Sequence, residues 1–222
     1  MTPSRDVFVT GGTGYIGRRV IRRLVTRGHR VRALARASSR GRVADGATAV
    51  VGDALDADSI AAALRPGDTL LHLVGTPHPS PAKAAEFVRV DLVSVRASVA
   101  AATRVGVPHG ISHMIYVSVA QPAPVMHAYL AVRAEGEQAI RQAGLTATIL
   151  RPWYVLGPGH RWPIVLIPLY ALASLVPAWR ESAFRLGLVS LDQMVNALVR
   201  AVEDPPPVGT VRILDVPAIR HS

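Results

Sequence analysis

The chain has 222 residues and a formal net charge of +10; half of its residues are hydrophobic and 18% are charged. This composition is typical of a globular protein and excludes a disordered chain. The absence of cysteine excludes a disulfide framework, a thiolate metal site and a cysteine nucleophile. The polar start of the chain has no secretory apolar segment, so we expect a cytoplasmic protein.

The excess positive charge lies in the first fifth of the chain. Residues 1–42 hold eleven arginines and one acid, whereas residues 43–222 hold fourteen basic and fourteen acidic residues. Such clustering suits an anionic partner such as nucleic acid or a membrane surface. It also suits a solvated helix face in an arginine-rich chain, or a bound phosphate group close to the arginines.

Segments with strand and helix patterns alternate along the first 151 residues. The strands are predicted at Asp6–Thr10, Arg30–Leu34, Ala47–Val51, Thr69–Val74, Ser112–Val117 and Thr146–Arg151. The helices are predicted from Ile16 to a stop at Gly28, from an Asp56 cap to Leu64, at Ala82–Val105 and at His127–Ala143. This alternation predicts an α/β protein: a Rossmann-type doubly wound parallel sheet in a single domain spanning residues 1–222.

The pattern changes after Pro152. Residues 152–189 are expected to form a small C-terminal lobe that covers the substrate. Within them, Pro163–Trp179 is strongly apolar but interrupted by prolines, which favours a buried or cleft-covering helix over an interfacial membrane contact. Ser190–Gln193 has the form of a capping box that opens a helix to Glu203, and Val211–Val216 is predicted to be the last strand.

A glycine-rich turn connects the first strand to the first helix. Its sequence is TGGTGYIG, in which Gly11 permits the sharp turn, Gly14 lets the backbone approach a pyrophosphate and Gly17 allows close packing. The free N–H groups of the helix N-terminus then face the anion. The turn predicts a dinucleotide site with contacts from Thr10, Gly11, Thr13, Gly14, Tyr15, Ile16 and Gly17.

The segment after the second strand selects between the two nicotinamide dinucleotides. It reads ALARASSR and has no acid before Asp45, whereas NAD sites place Asp or Glu there for the ribose 2′-hydroxyl. Arg36, Ser38 and Arg40 suit a 2′-phosphate instead. Arg18 and Arg19 agree, because cations in the first turn of a helix are unfavourable without a nearby anion. We therefore expect NADP rather than NAD.

These motifs resemble those of the short-chain dehydrogenase/reductase superfamily, and its extended and atypical branches fit best, including epimerase-like and NmrA-like proteins. The resemblance spans residues 5–200 and rests on five segments: Thr10–Gly17, Gly52–Asp56, Tyr116–Ser118, Tyr129 and Thr148–Pro152. It implies that Asp53 binds the adenine amino group and that Pro152 and Val155 flank the nicotinamide. Further cofactor contacts are implied for Ala54, Leu73, Val74, Gly75 and Arg133.

The resemblance also implies a catalytic set. Ser118 would donate a hydrogen bond to the substrate carbonyl, and Tyr129 would be the general acid/base, with a lysine four residues later in the family. Here Arg133 occupies that position, and Asp91 lies where many members have Asn. Arg133 keeps the charge that tyrosine activation needs but is a poor proton relay. The alternative is that Tyr129 is simply an aromatic residue packed on a helix.

Three functions are compatible with these patterns. The first is an NADP-dependent oxidoreductase, or an epimerase or dehydratase, acting on a small carbonyl or hydroxyl substrate. Apolar walls are expected for its cleft from Trp153, Trp162, Tyr170 and Trp179. The second is a non-catalytic NADP(H) sensor of NmrA type. The third, ranked last, is an accessory protein at a membrane or nucleic-acid surface; no nucleic acid and no metal site are expected.

Overall fold

The computed structural model describes residues 3–105, 110–159 and 186–222. The strands are β1 (Asp6–Thr10), β2 (Arg30–Ala35), β3 (Thr48–Val51), β4 (Thr69–His72), β5 (His113–Val117), β6 (Ala147–Leu150), β7 (Tyr154–Leu156), β8 (Leu188–Ser190) and β9 (Val211–Leu214). The α-helices are α1 (Gly17–Thr26), α2 (Ala57–Ala63), α3 (Ala84–Glu86), α4 (Val93–Arg104), α5 (His127–Gln142), α6 (Leu191–Glu203) and α7 (Val216–Arg220).

Seven of the described strands form one parallel sheet in the order β3-β2-β1-β4-β5-β6-β9. The order reverses between β1 and β4, the point at which doubly wound folds open a crevice at the carboxyl ends of their strands. This arrangement confirms the predicted Rossmann-type parallel sheet.

Two apolar clusters cover the two faces of the sheet. On one face α1 packs against α6, with Val20 and Leu24 of α1 and Leu198 of α6 fully buried. On the other face α2, α4 and α5 bury residues such as Ile60 and Ile140. The central strands are buried on both sides, which explains their nearly continuous apolar sequences.

The predicted helix Ala82–Val105 is present only in part. A 3-10 turn (Pro81–Lys83) and the short α3 lead into a π-helical segment at Phe87–Leu92, and the regular helix α4 begins at Val93. Phe87, Asp91 and Leu92 of the π-helical segment are all buried. The spacing of hydrophobic residues predicts a single helix here because a single wider turn within a helix changes that spacing too little to be detected.

The C-terminal part differs from the sequence predictions at two places. Residues 154–156, for which no strand is predicted, form β7 and pair in parallel with β8 in a separate two-stranded sheet. The last strand ends at Leu214 instead of Val216, because Asp215 caps α7 by accepting a hydrogen bond from the Ala218 N–H. The predicted capping box at Ser190 and Gln193 is present at the start of α6.

The predictions for Pro163–Trp179 and for the aromatic residues Trp162, Tyr170 and Trp179 lie outside the described residues. Within the parts of the chain that the structure describes, none of the helices is both long and apolar enough to cross a membrane.

Candidate cofactor site

A cavity of about 450 Å³ opens at the carboxyl ends of the central strands. It is lined by the glycine turn (Gly11, Thr13, Gly14), the end of β2 (Leu34, Ala35, Arg36, Ser39), the segment after β3 (Gly52, Asp53, Ala54, Leu55), the segment after β4 (Leu73, Val74, Gly75, Pro77), and Glu86 and Val90. Its volume is in the range of small-molecule and cofactor sites. Four segments that are remote in sequence therefore meet where the fold places a dinucleotide.

The glycine turn has the close contacts that require its glycines. Gly11 has a φ of +77°, and a Cβ there would lie 2.6 Å from the carbonyl carbon of Leu73. A Cβ on Gly17 would overlap the carbonyl oxygen of Gly11, so the first turn of α1 closes onto the loop itself. The Gly14 N–H donates to the Gly11 carbonyl over 3.0 Å. The turn thus has the tight form that brings backbone N–H groups near a phosphate.

Arg36 is an exposed residue in the wall of this cavity, at the end of β2. A 3-10 helix, Ala37–Arg42, follows it and is anchored by Ser39, which donates to the Arg36 carbonyl oxygen. Ser38 and Arg40 are exposed on the same 3-10 helix, but Arg40 lines a separate surface depression. Of the three residues predicted to bind the 2′-phosphate, Arg36 is therefore the one that lies in the cavity lining.

Asp53 lies in the wall of the same cavity, in the segment after β3. One oxygen of its carboxylate accepts a hydrogen bond of 2.9 Å from the Leu55 N–H, and the Asp53 N–H donates to the Ser59 hydroxyl. These two bonds fix the backbone and the side chain of Asp53 in an exposed position on the cavity wall.

Two residues of the glycine turn face other parts of the protein. Thr10 is fully buried, and its hydroxyl shares a 2.9 Å hydrogen bond with Nδ1 of His72. Tyr15 is covered by Arg19, whose guanidinium lies 4.3 Å from the ring centroid and donates to the Tyr15 carbonyl oxygen. Arg19 is thus engaged by Tyr15, while Arg18 is exposed.

A buried ion pair lies beneath the wall formed by residues 73–75. Nη2 of Arg133 is 2.5 Å from Oδ1 of Asp91, and Nη1 of Arg133 donates to the Val117 carbonyl oxygen over 2.8 Å. The Arg133 side chain is 6% exposed and that of Asp91 is 0% exposed. The Nε–H of Arg133 has no hydrogen-bond partner among the described residues. Arg133 thereby ties α5 to the π-helical segment and to the end of β5.

The guanidinium of Arg133 also lies between two tyrosines. It is 5.0 Å from the ring centroid of Tyr129 and 5.7 Å from that of Tyr116. Burial opposes the charge of Arg133, but the neighbouring oxygens of Tyr129, Tyr116 and Asp91 raise its pKa above the usual arginine value. Burial likewise raises the pKa of the Tyr116 phenol. Arg133 is therefore a permanent cation, and it meets Tyr129 at the face of the ring.

Ser118 belongs to a second buried polar network. Its hydroxyl donates to Oε1 of Glu137 over 2.7 Å, and Glu137 also accepts from Gln121 and from two nitrogens of Arg151. Ser118 is 3% exposed. A hydroxyl has a single proton to donate, so in this arrangement Ser118 can only accept a further hydrogen bond.

The chain is similar in sequence to a known family of proteins. Residues 11–161 match the NAD(P)H-binding family. The chain belongs to this family. Among curated proteins, it is 28% identical over 216 residues to a ceramide reductase of Caulobacter vibrioides, a match that covers 95% of this chain and 64% of the reductase. The chain spans half or less of the other curated relatives that it matches.

Solved structures of an epimerase and of a short-chain dehydrogenase/reductase share the fold of this NAD(P)H-binding protein. A UDP-galactose 4-epimerase superposes with a TM-score of 0.69 at 19% identity, covering 94% of this chain and 76% of the epimerase. An oxidoreductase of the short-chain dehydrogenase/reductase family from Burkholderia thailandensis gives a TM-score of 0.67 at 22% identity, covering 98% and 93%.

The cavity of this NAD(P)H-binding protein contains about half of the predicted site residues. Those in its lining are Gly11, Thr13, Gly14, Arg36, Asp53, Ala54, Leu73, Val74 and Gly75. The predicted catalytic residues Ser118, Tyr129 and Arg133 do not line it; Arg133 contacts its wall from below. Pro152 is buried and its carbonyl oxygen accepts from the Ala120 N–H, while Val155 packs in β7 against the core.

Several lining residues were not predicted from the sequence. Ser39, Pro77, Glu86 and Val90 enter the cavity from a 3-10 helix, a loop, α3 and the π-helical segment. Glu86 and Val90 lie on helical elements that do not follow a strand directly, so the expectation that ligands collect at strand ends does not reach them, whereas Ser39 and Pro77 lie in the segments after β2 and β4. Ser39 had one available signal, its place one residue after the predicted phosphate ligand Ser38.

Proposed function

We propose that the chain is an NADP-dependent oxidoreductase of the atypical short-chain type. The observation that carries this proposal is Arg36, an exposed cation in the wall of the cavity, at the end of a strand that no acid follows before Asp45. A guanidinium offers the planar, permanently charged fork that a 2′-phosphate accepts. A ribose 2′-hydroxyl would call for a carboxylate at the same place.

The residues present fit a bound dinucleotide. The glycine turn lines the cavity at the start of α1, Asp53 is held on the cavity wall, and residues 73–75, which carry no charge, form a further part of the wall. When bound, the cofactor supplies the hydride. Tyr129 donates or removes the proton of the substrate oxygen, and Arg133 keeps a positive charge at the face of its ring. Ser118 accepts a hydrogen bond from a substrate hydroxyl.

The substrate in this proposal is a small molecule with a carbonyl or hydroxyl group on an apolar body. The similarity to a protein named a ceramide reductase supports an apolar compound. The edge-to-face pair of Trp153 and Tyr154, with ring centroids 5.7 Å apart, lies directly after the predicted nicotinamide contact at Pro152 and adds aromatic surface there.

Isothermal titration with NADP(H) and with NAD(H) tests the cofactor. We expect the native protein to bind NADP(H) more tightly, and Arg36→Ala to lose most of that preference. Arg42→Ala is the matched control. Arg42 is an exposed arginine of the 3-10 helix that follows Arg36, and Arg42 does not line the cavity. Equal affinity for the two cofactors in the native protein would refute the NADP assignment.

A second candidate, a non-catalytic NADP(H) sensor of NmrA type, is favoured by a different observation. Arg133 donates to Asp91 and to the Val117 carbonyl oxygen, and Ser118 donates to Glu137, so two of the three predicted catalytic side chains are bound to the protein itself. Reduction of carbonyl compounds by NADPH, abolished in Tyr129→Phe, would support the enzyme. Tight NADPH binding without turnover across aldehydes and ketones of increasing chain length would support the sensor.

A further inference from the structure

The outward side of α1 is built from arginine. The helix and its C-cap residue hold five arginines and no acid: Arg18, Arg19, Arg22, Arg23 and Arg27. All of them are exposed except Arg19, which covers the Tyr15 ring. The opposite side of the helix is apolar and buried in the core. α1 therefore presents a stripe of positive charge to its surroundings.

These arginines repel one another. Arg18 and Arg22 are four residues apart, as are Arg23 and Arg27. At this spacing like charges lie next to each other on a helix and destabilise it. The carboxylate of Glu203 accepts from Nε of Arg27 over 2.5 Å and from its Nη2 over 2.9 Å, but neither Arg22 nor Arg23 forms an ion pair with a described residue. The helix thus keeps positive charge that an external anion would stabilise.

The positive charge continues onto the elements on both sides of α1. On one side α6 carries Arg200, which lines a surface depression together with Arg23 and Arg27. On the other side residues 43–47 pack against α1, and Arg40 lines the depression that they form. We refer to six exposed arginines as the arginine face: Arg18, Arg22, Arg23, Arg27, Arg40 and Arg200.

Acidic residues balance only part of this charge. Asp45 and Asp192 are exposed on the two flanking segments, and Glu203 is shared by Arg27 and His29. Arginine stays protonated at all relevant pH values. The arginine face therefore sets six positive charges against these three negative ones, and it attracts anions in a manner that salt weakens.

The shape of the arginine face distinguishes between anionic partners. The major groove of DNA, about 12 Å wide, admits a single α-helix. α1 has α6 on one side and residues 43–47 on the other, so it cannot enter a groove alone. Proteins that bind single-stranded nucleic acid stack its bases on aromatic side chains, and neither α1 nor α6 contains an aromatic residue. A helix set in a broad layer matches a planar anionic surface instead.

We propose that the arginine face docks the protein onto a lipid bilayer that contains anionic phospholipids. The choice of a bilayer rests in part on the proposed function, in which the substrate has an apolar body and would therefore be concentrated in bilayers. Because α1 begins at the glycine turn, the cavity lies at one end of the arginine face. Docking through this face brings the cavity close to a substrate held in the bilayer.

Co-sedimentation with lipid vesicles tests the proposal without cofactor or substrate. The vesicles contain phosphatidylcholine alone, or phosphatidylcholine with about one third phosphatidylserine, at physiological ionic strength. We expect binding to the anionic vesicles that decreases as salt is added. Each basic residue near such a surface contributes about fivefold to partitioning. The double variant Arg22→Gln, Arg23→Gln should therefore bind the anionic vesicles about 25-fold more weakly.

The double variant Arg65→Gln, Arg89→Gln is the matched control. Both arginines are exposed, and they lie next to or within helical elements on the other side of the sheet. This variant loses the same two charges, but its vesicle binding should stay within about threefold of native, because charges far beyond the Debye length of about 8 Å are screened. The Tm of Arg22→Gln, Arg23→Gln should equal or exceed the native value, since repulsion within α1 decreases.

Three results would overturn the proposal. The first is equal binding to neutral and anionic vesicles, and the second is an equal loss of binding in the two double variants. The third is tighter binding to a short DNA duplex than to anionic vesicles at the same salt concentration, which would assign the arginine face to nucleic acid. Failure of the proposed function appears separately, as absent NADPH binding. Arg22 and Arg23 do not line the cavity, so their double variant should bind NADPH as the native protein does.

Discussion

Substitution of Gly75 by alanine tests whether the Arg133–Asp91 pair is fixed in place. The new Cβ would lie 2.5 Å from Nη2 of Arg133, well inside contact distance. The far end of an arginine side chain usually moves aside at little cost. Here the guanidinium is 6% exposed and bound to Asp91 and to the Val117 carbonyl oxygen, so it has no free direction in which to move.

Both ways of relieving the overlap cost free energy. If the wall at residues 73–75 shifts, the cost is that of overpacking, about 1–3 kcal/mol. If Arg133 leaves Asp91, a buried charge loses its partner, which costs about 3–5 kcal/mol. We therefore expect Gly75→Ala to lower the free energy of unfolding by at least about 1 kcal/mol, equivalent to about 2–4 °C in Tm per kcal/mol for a chain of this size.

Urea unfolding followed by tryptophan fluorescence measures this loss, and an NADPH titration of the same variant measures the effect on the cavity wall. Gly41→Ala is the matched control, because a Cβ there meets nothing within 4 Å and its φ is negative. That control should be neutral or stabilising by up to about 1 kcal/mol. Native stability in Gly75→Ala would refute the reasoning, since it would mean that Arg133 moves away freely.

Two further predictions concern the core and the glycine turn. Burial lowers the pKa of His72 to about 3 and of His113 to about 4 from an ordinary value of 6.5, so only the unfolded chain takes up these protons as the pH falls below 6.5. The free energy of unfolding should therefore keep its full value above pH 6.5 and decrease towards pH 4 by about 1.4 kcal/mol per pH unit for each histidine. If the free energy of unfolding of His72→Gln decreased with falling pH as steeply as that of the native protein, this reasoning would be contradicted. Gly11 has a φ of +77°, and a Cβ there would lie 2.6 Å from the Leu73 backbone. Gly11→Ala should therefore abolish NADPH binding in a titration and lower the Tm. An NADPH affinity within twofold of the native value would exclude a tight phosphate turn.

The sequence predicted the sheet well because local patterns determine it. The described strands of the main sheet begin and end close to their predicted positions, and Asp56, Gly28 and the capping box at Ser190 act as the helix signals that their residue types indicate. The short pairing of β7 with β8 was missed because both partners are three residues long and 31 positions separate their ends. A strand of that length has too little alternation to be distinguished from a loop.

The candidate site was predictable where it follows strands and not where it depends on side chains meeting across the fold. The glycine turn, Arg36, Asp53 and residues 73–75 all follow strands, so the parallel order of the sheet brings them to one edge. The partners of Arg133 and Ser118 could not be inferred in this way. Asp91 reaches Arg133 from a π-helical turn, and Glu137 reaches Ser118 from the same helix that carries Tyr129.

The arginine at position 133 is best understood together with two other positions. Its guanidinium needs the space that Gly75 leaves, and its buried charge needs the carboxylate of Asp91. A lysine ammonium is a compact point charge on a flexible stem, whereas the rigid fork of arginine binds Asp91 and the Val117 carbonyl oxygen at the same time. Since arginine remains protonated at all relevant pH values, a proton that leaves Tyr129 cannot return through residue 133. In an active enzyme that proton must therefore come from solvent or from the substrate pocket.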